Sequence, residues 1–182
     1  MRRILVLGGI RSGKSQWAEA LLAESSDAGL PVRYLATAAP DGDAEWAARI
    51  AAHRARRPSN WSTVETADIA TQLRSAPTPT LIDDIGGWLT ATMDRRDAWT
   101  TGSVAADVTE MLDAVATFPA PLAIVSPEVG LTVVPATAAG RRFADALGSL
   151  NQRLAGLCER VVLVIAGQPL TVKEQSGVES RR

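Results

Sequence analysis

The stretch Gly8-Gly9-Ile10-Arg11-Ser12-Gly13-Lys14-Ser15 follows an all-apolar run, Ile4-Leu5-Val6-Leu7, and precedes a segment, Trp17-Ala18-Glu19-Ala20-Leu21-Leu22-Ala23-Glu24, that is helical by composition. A strand, a glycine-rich turn and a helix in that order leave few architectures open. The glycines let the backbone fold so that successive N–H groups converge into a nest for phosphate oxygens. The start of the following helix adds partial positive charge. Gly8, Gly13, Lys14 and Ser15 complete the pattern G-x-x-x-x-G-K-[ST] in its required strand–turn–helix context. Lys14 is one of two lysines in a chain with seventeen arginines. A compact ammonium on a flexible stem can follow the β- and γ-phosphates, where a planar guanidinium would fill the space differently. Ser15 offers a hydroxyl to Mg²⁺. The alternative is a strand–helix turn without a ligand; the full pattern in context favours nucleotide binding.

Strand-like and helical stretches alternate along the rest of the chain. Residues 32–36, 81–83, 122–125 and 161–166 are strand candidates, the last two apolar throughout. Helical patterns fall at 44–54, 88–93, 104–116 and 141–157, and Ala39-Pro40-Asp41-Gly42-Asp43 reads as a turn-rich loop. Such alternation implies an α/β domain with a mostly parallel sheet and helices on both faces. At 182 residues, one domain over 1–173 suffices, with a polar, flexible tail at 174–182.

Composition narrows the function. A formal net charge of −1 removes the global electrostatic case for a nucleic-acid binder. One cysteine, Cys158, allows no internal disulfide, and one histidine leaves no Cys/His cluster for structural zinc. Any metal would be a hard ion held by oxygens. No apolar run reaches membrane-span length, and the expected setting is the cytoplasm.

A second acidic element should hold the magnesium. Asp83 directly follows the apolar run Leu81-Ile82, which makes it the better candidate than Asp84; the alternative is that both carboxylates begin a solvated loop. No N-K-x-D guanine-reading motif occurs, which disfavours a Ras-like switch. If 45–58 is a helix and its continuation, His53 shares a side with Arg49, Arg56 and Arg57, near Trp46 and Ile50. Clustered guanidinium groups favour a neutral, nucleophilic imidazole and could grip a triphosphate. By spacing alone, a solvated basic face is the simpler reading.

These elements together resemble the bifunctional adenosylcobinamide kinase/adenosylcobinamide-phosphate guanylyltransferase family of cobalamin assembly. The resemblance runs from Ile4 to Lys173. It rests on the loop at 8–15, on Tyr34-Leu35-Ala36-Thr37, and on the ordered set Arg49-Ile50, His53, Arg57-Pro58, Trp61, Thr63 and Glu65. Glu128-Val129-Gly130 with Val134-Pro135, Gly148-Ser149-Leu150-Asn151-Gln152-Arg153-Leu154-Ala155 and Ala166-Gly167 extend it. The chain departs from the family pattern at Asp84-Ile85-Gly86, Pro127, Thr132 and Ala144.

The resemblance implies a P-loop NTPase fold and a two-step enzyme. ATP or GTP would phosphorylate adenosylcobinamide. His53 would then attack the α-phosphate of GTP, and the substrate phosphate would take the GMP. The same matching implies phosphate contacts from Gly8, Gly9, Ile10, Arg11, Ser12, Gly13, Lys14 and Ser15, and nucleotide contacts from Ala36, Thr37, Ala38, Arg54, Ala55, Arg56 and Arg57. Glu65 and Asp83 fall at further nucleotide- or Mg²⁺-contacting positions, with Ser15 and Asp83 as metal ligands. It also implies a homotrimer. A single-function P-loop kinase and a non-enzymatic nucleotide-binding regulator are the competing readings.

Overall fold

The computed structural model describes residues 3–25, 31–37 and 57–175. Seven strands form one sheet: β1 (Arg3–Gly8), β2 (Arg33–Ala36), β3 (Ser62–Glu65), β4 (Thr80–Asp83), β5 (Leu122–Pro127), β6 (Arg160–Ile165) and β7 (Gln168–Glu174). Their spatial order is β3-β2-β4-β5-β1-β6-β7, and all pairings are parallel except β6 with β7. The described helices are α1 (Lys14–Ser25), α2 (Ile69–Ser75), α3 (Ile85–Arg95), α4 (Ala105–Thr117) and α5 (Ala138–Leu157).

The side-chain period of two divides the sheet's residues between two apolar cores. On one face, Ile4, Val6, Tyr34, Leu81, Ala123, Val125, Val162 and Val164 pack with Ala18 and Leu22 of α1. On the other, Leu5, Leu35, Ile82, Ile124 and Val161 meet Ile69, Trp88, Leu89, Met111, Val115, Leu150 and Leu154 from the other four helices. Central strands buried on both faces read as continuous apolar runs. For that reason β1, β5 and β6 stand out in the sequence, while β2 and β4 are legible despite Arg33 and Asp83. Side-chain caps fix the starts of α2, α3 and α5: Asp68 accepts from Thr71 N–H, Asp84 from Gly87 N–H and Thr137 from Gly140 N–H.

Three elements differ from the sequence expectation. β3 is a four-residue edge strand, Ser62-Thr63-Val64-Glu65, with mostly exposed side chains and no apolar run. α2 is a short helix of seven residues. β7, which the sequence reading does not assign, pairs antiparallel with β6, so the sheet is mostly parallel, as expected. It turns back from β6 through Ala166 and Gly167, both at positive φ (49° and 78°), the requirement of a two-residue hairpin turn. Glu174, expected at the start of the tail, is the last residue of β7. The expected loop at 39–43 and helix at 44–54 lie outside the described residues, as does 176–182.

Asn151 joins α5 to the carboxyl end of β5. Its Oδ1 accepts from Ser126 Oγ at 2.6 Å, and its Nδ2 donates to Pro127 O at 3.0 Å. Ser126 is fully buried and Asn151 nearly so. Removing one partner of a buried pair leaves the other unsatisfied, at a cost of about 1–3 kcal/mol. We therefore expect Asn151→Ala to lower the unfolding free energy by about that amount in urea titration, whereas an unchanged midpoint would assign the clamp no energetic role.

Candidate nucleotide site

The carboxyl end of β1 runs directly into the glycine loop. Gly8 cannot carry a side chain: a Cβ there would lie 2.4 Å from Ser12 Oγ and 2.8 Å from Val164 O. Arg11 and Gly13 take positive φ, 55° and 92°, the alternation that turns successive N–H groups inward. The loop's carbonyls point the other way and are engaged by the protein. Gly8 O accepts from Glu128 N–H at 3.1 Å, Gly9 O from Ser12 N–H at 3.3 Å, Ser12 O from Gly167 N–H at 2.8 Å and Gly13 O from Trp17 N–H at 2.9 Å. Lys14 Nζ donates to Gly9 O at 3.2 Å. The hairpin turn between β6 and β7 thus backs the loop, and a Cβ on Gly13 would sit 3.2 Å from Gly167 Cα.

Ser15, in the first turn of α1, donates from Oγ to Asp83 Oδ1 at 3.1 Å. Asp83 ends β4, two strands away from β1 with β5 between them. Its Oδ2 accepts from the Tyr34 hydroxyl. Burial pushes the Tyr34 hydroxyl far above its ordinary range, and the charge and hydrogen bond of Asp83 add to the rise, so Tyr34 is a neutral donor. Asp84 is occupied elsewhere, since its Oδ1 caps α3 through Gly87 N–H at 2.6 Å. Burial raises the Asp84 carboxyl above the usual carboxylate range and the Asp83 charge adds to this, against the Gly87 hydrogen bond and the Lys14 charge.

The residues present fit an anion and a hard cation. Ser12 Oγ is buried with no hydrogen-bond partner among the described residues, inside a loop whose N–H groups converge. Space beside Gly9 is open, with nothing within 4 Å of a built Cβ. A hydroxyl and a carboxylate in contact are oxygen donors suited to Mg²⁺, which keeps several water or phosphate ligands besides one or two from protein. Among the described residues no group of three or more His, Cys, Asp or Glu comes together.

The structure brings Gly8 through Ser15 and Asp83 together at the carboxyl edge of the sheet. Ala36 and Thr37 stand beside them: Thr37 N–H donates to Asp83 O at 3.1 Å, and Thr37 Oγ1 to Asp84 O. Glu65 pairs in register with Ala36 at the end of β3 and is exposed. The Arg57 guanidinium is not open to solvent. It lies 3.2 Å from the Tyr34 ring centroid, its Nε is 3.7 Å from Glu19 Oε1, and it donates to Thr63 Oγ1 at 2.9 Å. His53, Ala38, Arg54, Ala55 and Arg56 lie outside the described residues. Sequence reasoning missed Tyr34, Glu19 and Asn151 as parts of this edge. The sequence holds no motif for the first two beyond the facts that Tyr34 is the chain's single tyrosine and that Glu19 follows Ser15 by four residues on the same helix face.

Residues 4–172 match the family described as cobinamide kinase / cobinamide phosphate guanyltransferase. The chain is 42% identical over 175 residues to the bifunctional adenosylcobalamin biosynthesis protein CobP of Pseudomonas aeruginosa, covering 94% of this chain and 97% of the relative. It is 35% identical over 191 residues to the bifunctional adenosylcobalamin biosynthesis protein CobU of Escherichia coli K12, covering 93% and 99%. Among solved structures, it resembles an ATPase from the type III secretion system of pathogenic bacteria, with a TM-score of 0.55 at 13% identity, over 93% of this chain and 56% of that one. That likeness is one of fold, the P-loop α/β architecture.

Gly13 links this geometry to a measurement. An L side chain held at positive φ costs about 1–2 kcal/mol. We expect Gly13→Ala to lower stability by that order and to abolish the rise in melting temperature that GTP induces. Gly148→Ala, in open space on α5, should instead leave that rise intact and keep or gain up to about 1 kcal/mol of stability. A full nucleotide-induced shift in Gly13→Ala would refute the role given to the loop.

Proposed function

The chain belongs to the cobinamide kinase / cobinamide phosphate guanyltransferase family, and we propose that it carries out both steps that its relatives' description as bifunctional enzymes implies. In the first, the hydroxyl oxygen of adenosylcobinamide attacks the γ-phosphorus of ATP or GTP; a P–O bond forms, the nucleoside diphosphate leaves and the hydroxyl proton is lost. In the second, an imidazole nitrogen of His53 attacks the α-phosphorus of GTP, forming a P–N bond and releasing pyrophosphate. The phosphate of adenosylcobinamide phosphate then attacks the phosphoramidate, giving adenosylcobinamide-GDP and restoring the histidine. Splitting the exchange in this way replaces one displacement between two bulky phosphates by two simpler ones.

The match to bifunctional relatives over nearly the whole chain carries this reading. The site geometry supports it. The N–H groups of the loop at 8–15 and the Lys14 ammonium hold and neutralise the triphosphate. Ser15 and Asp83 would hold Mg²⁺, which supplies charge neutralisation at the phosphates. Among the described residues no helix is long and apolar enough to cross a membrane, and we place the reaction in the cytoplasm. A homotrimer completes the reading. Leu131, Val133 and Val134 after β5, and Leu170 and Val172 on β7, are exposed apolar groups of the kind that assembly covers.

Incubation with α-labelled GTP and Mg²⁺ should leave acid-labile, base-stable label on the protein, with intact mass showing one added GMP. His53→Ala should lose this label and keep phosphorylation of cobinamide, while Lys14→Ala should lose both. Phosphorylation with no covalent nucleotide on the parent chain would reduce the function to that of a kinase. Light scattering should return the mass of three chains, and a monomer would remove the assembly from the reading.

A further inference from the structure

The contacts around Asp83 form a series of side chains that begins and ends on α1. Ser15 donates to Asp83 Oδ1 and Tyr34 to Asp83 Oδ2. β2 and β4 are adjacent and Tyr34 pairs in register with Leu81, so the tyrosine leaves the face that carries Asp83 two residues on. The Tyr34 ring is buried beneath the Arg57 guanidinium, at a distance where cation and ring face attract. Arg57 in turn pairs with Glu19, and both side chains are at most 10% exposed. Glu19 is four residues after Ser15, on the same side of α1. The series Ser15–Asp83–Tyr34–Arg57–Glu19 therefore leaves α1 and returns to it one turn later.

A carboxylate with two free oxygens can rotate and offer either to a cation. One whose second oxygen is tied presents the first in a fixed direction, and such outer partners typically change metal affinity 10–100-fold when removed. We propose that Tyr34 is a positioning residue for the magnesium–nucleotide complex. Its hydroxyl ties Asp83 Oδ2 so that Oδ1 faces Ser15, and Arg57, clamped by Glu19 and Thr63, fixes the Tyr34 ring. The proposal rests on the reading that Ser15 and Asp83 hold Mg²⁺ with the nucleotide. It gives Arg57 a role through Tyr34 rather than through contact with the nucleotide.

Calorimetric titration of the full chain with a non-hydrolysable GTP analogue, in Mg²⁺ and in EDTA, tests it. The parent should bind more tightly with Mg²⁺. Tyr34→Phe should keep the EDTA affinity, which the loop supplies, and lose roughly tenfold or more of the Mg²⁺-dependent gain. Arg57→Met should lose part of the same gain. An undiminished gain in Tyr34→Phe overturns the proposal. So does an equal fall in both media, which would mark Tyr34 as a support of the fold alone. A parent chain that binds equally with and without Mg²⁺ would instead overturn the assignment of Ser15 and Asp83 as metal ligands, and the proposal with it.

Discussion

The polarity of the glycine loop depends on where its carbonyls go. Donors from the β5 end, the β6–β7 turn, α1 and the loop itself take the carbonyls of Gly8, Gly9, Ser12 and Gly13. With these four acceptors tied to the scaffold, the loop's remaining N–H groups are left for an anion, as such alternating backbone provides. That arrangement needs β1 in the sheet's interior, flanked by β5 on one side and β6 on the other. A loop at a sheet edge would have one of those supports and not the other.

The same centrality explains what could be read from the chain. Strands buried on both faces are mostly apolar, so β1, β4 and β5 declare themselves, and the loop declares itself through the spacing of Gly8, Gly13 and Lys14. The edges do not. β3 and β7 carry exposed, partly polar side chains because solvent meets one or both of their faces, and nothing in their periodicity separates them from loop. α2 is too short to show a helical period.

The site was legible to the same degree. Ser15 and Asp83 each follow a local pattern, a motif and the end of an apolar run, and the sheet places them 3.1 Å apart. Tyr34, Glu19 and Arg57 carry no local pattern of that kind. Their meaning comes from three chain segments meeting on one face of α1, which only the tertiary structure supplies. Arg57 shows the difference most clearly. Its neighbours in sequence are basic, yet its neighbours in space are a tyrosine ring, a glutamate and a threonine. Its guanidinium is a packed group rather than a free charge.

The two lysines complete the picture. Lys14 stands at the start of α1 beside the phosphate cradle, and Lys173 donates from β7 to the Ala155 and Cys158 carbonyls at the end of α5, both at 2.7 Å. A compact ammonium at a helix's negative end satisfies carbonyls that the helix itself leaves open. Amine-directed acylating reagents consequently find just two side-chain targets in this molecule. One lies where a bound nucleotide would shield it and the other where it would not, so the second is a built-in internal standard for footprinting the first.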